Sequence, residues 1–185
     1  MQFIKTRDVK DPIRNPEENA GIDLFIPENN DEFEMDLLKK NPDLIIDFTP
    51  ESRHIAELAK VTWFERETGT IHIGPQCDVI IPSGIRSKFG PELALIANNK
   101  SGVATKKKLI FGASVIDCSY QGEWHFHLIN TSRKFQEVKC GDKVIQFIPH
   151  LISTEPIEIV DKTPEEFYDV KTSRGEGWQG STGTK

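Results

Sequence analysis

The sequence lacks the cysteine density, the long apolar runs and the excess of basic residues that mark several common protein classes. It has three cysteines, Cys77, Cys118 and Cys140, whose wide spacing predicts neither a disulfide framework nor a metal motif. No apolar run approaches the ~20 residues that a membrane span needs, and the first residues have no signal-peptide core. We therefore expect a protein of the reducing cytoplasm with no membrane partner.

Positive charge is also scarce, and the negative charge is concentrated. The chain has 23 Lys and Arg residues against 29 Asp and Glu residues, a net charge of −6. Residues 28–67 alone hold eleven acidic and five basic residues, a difference of −6 that equals the charge of the whole chain. Since a nucleic-acid-binding domain normally has a basic balance, we expect no nucleic-acid partner.

The pattern of apolar and polar residues predicts many short strands. From Ile71 onward apolar residues alternate with polar ones, and Gly, Pro and Asn separate the segments, a pattern typical of a closed or sandwiched all-β architecture. The length of 185 residues suits one domain with a real core. We expect a single β domain over residues 1–170 and a flexible Gly/Ser-rich tail over residues 171–185. The predicted strands are Asp78–Ile81, Leu93–Ala97, Leu109–Ile116, Trp124–Asn130 and Val144–His150.

Residues 28–70 depart from this strand pattern and predict a small, mainly helical or α+β insertion. Phe33, Leu37 and Leu38 have helical spacing behind a capping Asn30, and a second helix is expected to begin at Thr49. One interpretation is a decorative insertion on the β domain. The alternative is a subdomain that binds a protein partner.

The stretch from Gly112 to Trp124 carries the first candidate chemistry. It predicts a buried hairpin in which two strands flank a polar turn. Asp117 lies at a strand end with Tyr120 three residues later, which puts a carboxylate and an aromatic ring at the mouth of a pocket. Ordinary turn chemistry explains such residues as well.

Four further stretches fall in order around this one: Ala20–Leu24, Asn99–Ala104, Gly141–Gln146 and Arg174–Gly183. Together the five resemble the five motifs of the homotrimeric dUTPase family, in its phage or bacterial form, with an insertion between the first and second motifs. The resemblance implies a distorted jelly roll, a homotrimer, and the hydrolysis of dUTP to dUMP and diphosphate. Mg²⁺ is the implied cofactor, held mainly by the substrate phosphates, so no direct metal ligand is expected from the protein.

The resemblance also implies a role for each motif residue. Asp117 is the general base that activates water for attack on the α-phosphorus, and Asp23 organises the phosphate end of the site. Tyr120 lies under the sugar and excludes a 2′-hydroxyl, while Trp178, in place of the usual phenylalanine, stacks on uracil. The remaining substrate-binding residues are Lys100, Ser101, Gly102, Ser114, Gln146, Arg174, Gln179, Ser181 and Thr182.

Two residues depart from the family pattern. Lys100 stands where the family usually has arginine, so a phosphate contact there keeps its charge but loses the bidentate fork. Ser114 stands where glycine is common, next to the expected uracil pocket.

Two alternatives remain open at this point. The first is a dCTP deaminase, or a bifunctional deaminase, of the same fold. The related deaminases have their catalytic glutamate at the position of His127, which argues against that chemistry, and His125 and His127 are expected to be structural. The second is a nucleotide-sensing interaction module that works through the acidic insertion.

Overall fold

The computed structural model describes residues 1–47, 49–172 and 175, and within these residues short strands dominate. The strands are β1 (Gln2–Lys5), β2 (Ile22–Asp23), β3 (Ile45–Asp47), β4 (Trp63–Glu65), β5 (Thr70–Ile73), β6 (Asp78–Pro82), β7 (Ile85–Lys88), β8 (Leu93–Asn99), β9 (Leu109–Phe111), β10 (Val115–Ile116), β11 (His125–Asn130), β12 (Gln136–Lys139) and β13 (Ile145–Leu151). The helices are α1 (Asp31–Lys40), α2 (Pro50–Ala59), α3 (Ser101–Lys106) and α4 (Pro164–Phe167).

The described strands form four small sheets around one apolar core. Their orders are β10-β8-β13-β2, β6-β11-β9, β12-β5-β4-β3 and β1-β7. Burial alternates along β11, where Phe126 and Leu128 face the core, as the period-two pattern predicts. Trp124 packs against Phe147 of β13 with ring centroids 4.8 Å apart, so the core joins different sheets.

Local sequence signals set the starts of α1 and α2 correctly. The Asn30 side chain accepts a hydrogen bond from the Phe33 backbone N–H at 2.9 Å and caps α1. Thr49 and Ser52 form a reciprocal capping box at the start of α2. β4 and β5 form an antiparallel hairpin, and Gly69 adopts a φ of 64° in its turn.

The predicted hairpin that joins residues 109–116 to residues 124–130 is wrong in part. β9 pairs with β11, but β10 leaves this sheet and pairs with β8. The departure occurs at Gly112, where a Cβ atom would lie 2.2 Å from Nδ1 of His127. Because β10 is an edge strand, Val115 is 54% exposed rather than buried.

Residues 28–70 are packed into the domain rather than placed upon it. Phe33 and Leu37 of α1 and Phe64 of β4 are fully buried members of the main core. The Asn41 side chain, at the end of α1, both accepts from the Ile80 backbone N–H and donates to the Ile80 carbonyl at 2.8 Å. The segment therefore contributes buried side chains to the main core.

Contacts divide the chain into two units, Met1–Ser153 and Thr154–Lys185. The described residues of the second unit are exposed, and α4, which begins with a capping box between Thr163 and Glu166, is the one helix or strand among them. None of the helices in the described part of the chain has the length and apolar character required to cross a membrane.

Candidate functional site

Three of the sequence motifs meet in the sheet that contains β2, β8 and β13. Gln146 in β13 lies opposite Asp23 of β2 on one side and opposite Asn98 of β8 on the other. Asn98 is two residues before Lys100, the N-cap residue of α3. Strand pairing thus brings together residues more than 40 positions apart in the sequence.

Asp23 is the electrostatic centre of this cluster. Its two carboxylate oxygens accept hydrogen bonds from Nζ of Lys100 at 2.5 Å and from Nζ of Lys143 at 3.0 Å. Burial opposes ionisation of Asp23, but the hydrogen bonds and charges of the two lysines outweigh burial and lower its pKa. The carboxylate therefore holds two ammonium groups in fixed positions. Lys143 was not among the predicted site residues, and only its place in the fourth motif pointed to it.

This arrangement makes stability depend on pH. The pKa of Asp23 is lower in the folded protein than its ordinary value of 3.8, so its contribution is present above that value and is lost as the pH falls through the folded pKa. We expect the melting temperature of wild type to fall more steeply than that of Asp23→Asn between about pH 5 and pH 2. Parallel thermal melts measure the difference, and identical pH profiles would contradict it.

Gln146 is placed at the cluster by its neighbours. Its Nε2 donates to the Asn99 carbonyl at 3.4 Å. A Cβ atom on Gly21 would lie 2.8 Å from Oε1 of Gln146, so the first motif needs a glycine to leave room for this side chain. The close approach at Gly21 therefore serves Gln146.

A cavity of about 410 Å³ opens beside Gln146 and α3. Ser101 and Gly102 are exposed in the first turn of this helix. Val103 to Lys106 continue the turn into a helix because Ala104 N–H bonds to the Lys100 carbonyl at 2.9 Å. The cavity lining includes three lysines and is suited to an anionic ligand: Lys100, Ser101, Gly102, Val103, Lys106, Lys107 and Gln146.

The second group of predicted residues lies in the loop between β10 and Trp124. The Tyr120 backbone N–H donates to the Asp117 carbonyl at 3.1 Å and closes a turn. The Tyr120 hydroxyl donates to the Glu123 carbonyl at 2.8 Å, which fixes the ring at the end of the loop. The Asp117 and Tyr120 side chains are both exposed.

Within one chain these two groups are far apart. Ile116 lies opposite Leu95 of β8, five residues before Lys100. At about 3.4 Å per residue this places the start of the Asp117 loop ~17 Å from Lys100 along the strand. Ser114 lies nearer, and its carbonyl accepts from the Ala97 backbone N–H at 2.7 Å. A single chain therefore brings Asp23, Lys100 and Gln146 together but not Asp117.

His127 of β11 has structural partners. Nδ1 of His127 accepts a hydrogen bond from the Ala113 backbone N–H at 3.3 Å, and its Nε2 lies 2.7 Å from Oδ2 of Asp78. These contacts assign the proton to Nε2, so the ring bridges β6 to the segment after β9. Among the described residues, no three His, Cys, Asp or Glu side chains are placed to share a metal ion.

The predicted contacts of the fifth motif lie outside the described residues: Arg174, Trp178, Gln179, Ser181 and Thr182.

Comparison with known proteins gives a consistent family. The family model described as dUTPase matches residues 68–183, which includes four of the five motifs and begins after the one at Ala20–Leu24. The deoxyuridine 5′-triphosphate nucleotidohydrolase of Candida albicans is 34% identical over 111 residues, 60% of this chain and 62% of that protein. The enzyme of the same name from Wolbachia pipientis is 36% identical over 105 residues, 57% of this chain and 62% of that protein. The chain thus spans about 62% of the length of these curated relatives.

Solved structures agree on the fold. The dUTPase of Staphylococcus bacteriophage 80alpha with dUPNHPP has a TM-score of 0.67 and 16% identity, with 99% of this chain and 98% of that chain covered. A mutant dUTPase from phage phi11 of S. aureus, whose structure concerns the coordination of a structural Mg(II) ion, has a TM-score of 0.60 and 16% identity, with 88% and 97% covered. The likeness confirms the predicted all-β jelly-roll fold.

Proposed function

This chain belongs to the dUTPase family, and we propose that it is a dUTP diphosphatase, which hydrolyses dUTP to dUMP and diphosphate. The observation that carries this proposal is the cluster of Asp23, Lys100 and Gln146 beside the lysine-lined cavity. Three separate motifs converge there on a surface that suits a chain of phosphates.

The proposed phosphate end of the site works by electrostatic stabilisation. Lys100 is held by Asp23, so its ammonium group is preorganised beside the cavity rather than free to move. Ser101 offers a hydroxyl and Gln146 a carboxamide at the same cavity. Fixed donors of this kind stabilise the charge that develops on the phosphate oxygens without reorganisation during the reaction.

The proposed reacting end is the Asp117 loop. Asp117 is the general base that takes a proton from the attacking water, since a carboxylate within hydrogen-bond reach of a water can do so. Tyr120 is held by the Glu123 carbonyl, and its ring packs under the sugar, which excludes ribose by sterics. Ser114 borders the uracil, which main-chain groups of this stretch read.

Mg²⁺ is the cofactor that we propose for this chemistry. Magnesium keeps several waters and is commonly bound by substrate phosphates, on which it neutralises charge. Asp23, Lys100 and Gln146 form the proposed phosphate-binding cluster, which we call the phosphate cluster. Asp23 is its carboxylate, but both oxygens of Asp23 are engaged by Lys100 and Lys143. We therefore assign the metal to the oxygens of the nucleotide and give Asp23 the role of positioning the lysines.

The separation of Asp117 from Lys100 supports a homotrimer in which each site combines residues of different chains. A second observation points the same way. Residues 151–170 carry many exposed apolar side chains, with Ile157 and Ile159 each 93% exposed. Apolar surface of this extent is typical of a segment that packs on a partner. In such an assembly the Asp117 loop of one chain completes the phosphate cluster of another.

The fifth motif is proposed to close the site. Arg174 supplies a charge-assisted contact to phosphate, and Trp178 supplies a flat partner for uracil. Gln179, Ser181 and Thr182 add hydrogen-bonding groups around the phosphates.

The three cysteines of the chain are unpaired, which supports the reducing cytoplasm as its compartment.

A panel of nucleotides tests the proposed function. We expect purified protein with Mg²⁺ to release diphosphate from dUTP, and to process UTP far more slowly because Tyr120 leaves no room for a 2′-hydroxyl. Diphosphate and ammonia are measured separately for dUTP, UTP, dCTP and dTTP. Release of ammonia from dCTP would instead indicate a deaminase, and equal kcat/KM for dUTP and UTP would contradict the role of Tyr120.

A further inference from the structure

Arg7 forms a buried ionic network outside the motifs. Its side chain is 3% exposed and forms a bidentate, forked ion pair with Glu123. Nε donates to Oε1 at 3.1 Å, and Nη2 donates to Oε2 at 2.7 Å. Nη2 also donates to Oδ2 of Asp36, which lies on α1. The guanidinium thus joins the first helix of the 28–70 segment to the end of the Asp117 loop.

The surroundings of this fork are built to hold it. The Gly84 backbone N–H donates to Oε1 of Glu123 at 2.6 Å, so the carboxylate is gripped from two sides. Gly84 has a φ of 71°, and a Cβ atom there would lie 2.7 Å from Cγ of Arg7. A glycine is therefore needed for both its conformation and the space that Arg7 occupies.

Glu123 transmits this fixation to the candidate site. The Glu123 carbonyl accepts a hydrogen bond from the Tyr120 hydroxyl at 2.8 Å. The Tyr120 backbone N–H donates to the Asp117 carbonyl at 3.1 Å and closes the turn. The next residue, Trp124, is fully buried and locked by backbone bonds to β7 and to Ser83. A continuous chain of contacts therefore runs from α1 through Arg7 and Glu123 to the loop.

We propose that Arg7 and Asp36 are positioning residues for Tyr120 and the Asp117 loop, through which helix α1 takes part in the discrimination between deoxyribose and ribose. This inference rests on the proposed function. It assigns a role in substrate selection to a helix that lies before the part of the chain matched by the family model.

The type of interaction suits positioning better than stabilisation. A buried ion pair is desolvated at a cost that often cancels its attraction, so apolar residues of similar size would stabilise the fold as well. A forked arginine–carboxylate pair, however, fixes both groups in one plane and one direction. Orientation is what the Tyr120 ring needs if it is to reject a single added oxygen.

The test is Arg7→Lys, with Arg53→Lys as a control. Lysine keeps the positive charge but cannot bridge the two oxygens of Glu123 and reach Asp36 together. Arg53 also contacts two carboxylates, those of Glu57 and Glu65, but its side chain is 44% exposed and neither carboxylate belongs to the Asp117 loop. Both variants are purified as full chains and assayed at a temperature at which circular dichroism shows them folded.

Two readouts are taken from each variant. We expect Arg7→Lys to lower the ratio of kcat/KM for dUTP to that for UTP by roughly tenfold or more, since misplacement by about 1 Å has effects of this size. We also expect faster hydrogen exchange at the Tyr120 amide, because the turn that it closes is less firmly held. Arg53→Lys should leave the ratio and the exchange rate at their wild-type values.

A lower melting temperature with an unchanged dUTP to UTP ratio would overturn the proposal, because the network would then serve stability alone. If Arg7→Lys fails to fold, Asp36→Asn at the exposed end of the network takes its place, and a smaller change in the same direction is expected. Hydrogen exchange needs no turnover, so it also separates the two hypotheses. A wild-type protein without dUTP hydrolysis would refute the proposed function. An unchanged hydrogen-exchange rate at the Tyr120 amide in Arg7→Lys would refute the positioning role of the network.

Discussion

Replacement of Asp117 by asparagine is expected to lower kcat for dUTP by about 10²–10⁴-fold, the range typical of a lost general base. Asparagine keeps the size of the side chain but cannot accept a proton from water. Because Asp117 lies ~17 Å or more along the strand from the phosphate cluster of its own chain, nucleotide binding by Lys100 and Gln146 should survive. Single-turnover kinetics and calorimetric titration with a non-hydrolysable dUTP analogue measure the two properties separately.

The control is Asp43→Asn, which changes an exposed aspartate in the loop after α1 and should leave kcat unchanged. Near-normal turnover in Asp117→Asn would reject the role of the carboxylate.

The same variant also tests whether each site is shared between two chains. In complexes assembled from equal amounts of Asp117→Asn and Lys100→Met chains, about one site in four should combine an intact loop with an intact phosphate cluster, so activity should reappear on mixing. A site contained in one chain would give no such recovery.

The sequence predicted elements well where the determining signals were local. Asn30 before a helical apolar pattern fixed the start of α1, and Thr49-Pro50 fixed the start of α2. It failed for β10, because Val115 and Ile116 have the same β-forming character whichever strand they pair with. The choice of β8 as the partner is decided by contacts across the sheet, about 20 positions away, and no local pattern contains that information.

In the candidate site, too, local motifs predicted some residues, while contacts between distant parts of the chain decided others. Asp23, Lys100 and Gln146 could be named from their motifs, and the structure brings them together. The second lysine on Asp23 is 120 residues away from it, and Arg7 is 116 residues away from Glu123. Such pairs depend on the register of strands and on the path of loops. A lone basic residue in a sequence gives no sign of the carboxylate that it will meet.

Residues 28–70 show that average composition does not reveal whether a segment contributes to the core. An acidic, helical segment in a β protein resembles an addition to its surface, because most of its residues are polar. The apolar stripe of α1 is narrow, yet Phe33 and Leu37 are completely buried, and Phe33 packs edge-to-face on Phe64 with ring centroids 6.1 Å apart. The burial of a few side chains, rather than average composition, decides whether a segment belongs to the core.

Phe33→Ala is therefore expected to reduce the free energy of unfolding by about 3–5 kcal/mol, the usual effect of removing a fully buried phenylalanine side chain. The variant loses the transfer free energy of the ring and leaves a cavity between α1 and β4. Met35→Ala, on the same helix but 66% exposed, should change the free energy by no more than about 0.5 kcal/mol.

Urea denaturation at one fixed protein concentration compares the variants, since the apparent stability of an oligomer depends on concentration. A loss below about 1 kcal/mol for Phe33→Ala would mean that α1 is not part of the cooperative core. A loss in the expected range carries a further consequence. Replacement of residues 28–67 by a short loop would then remove Phe33, Leu37, Leu44 and Phe64 from the core together. The truncated chain should fail to fold, although four of the five motifs lie beyond that segment in the sequence.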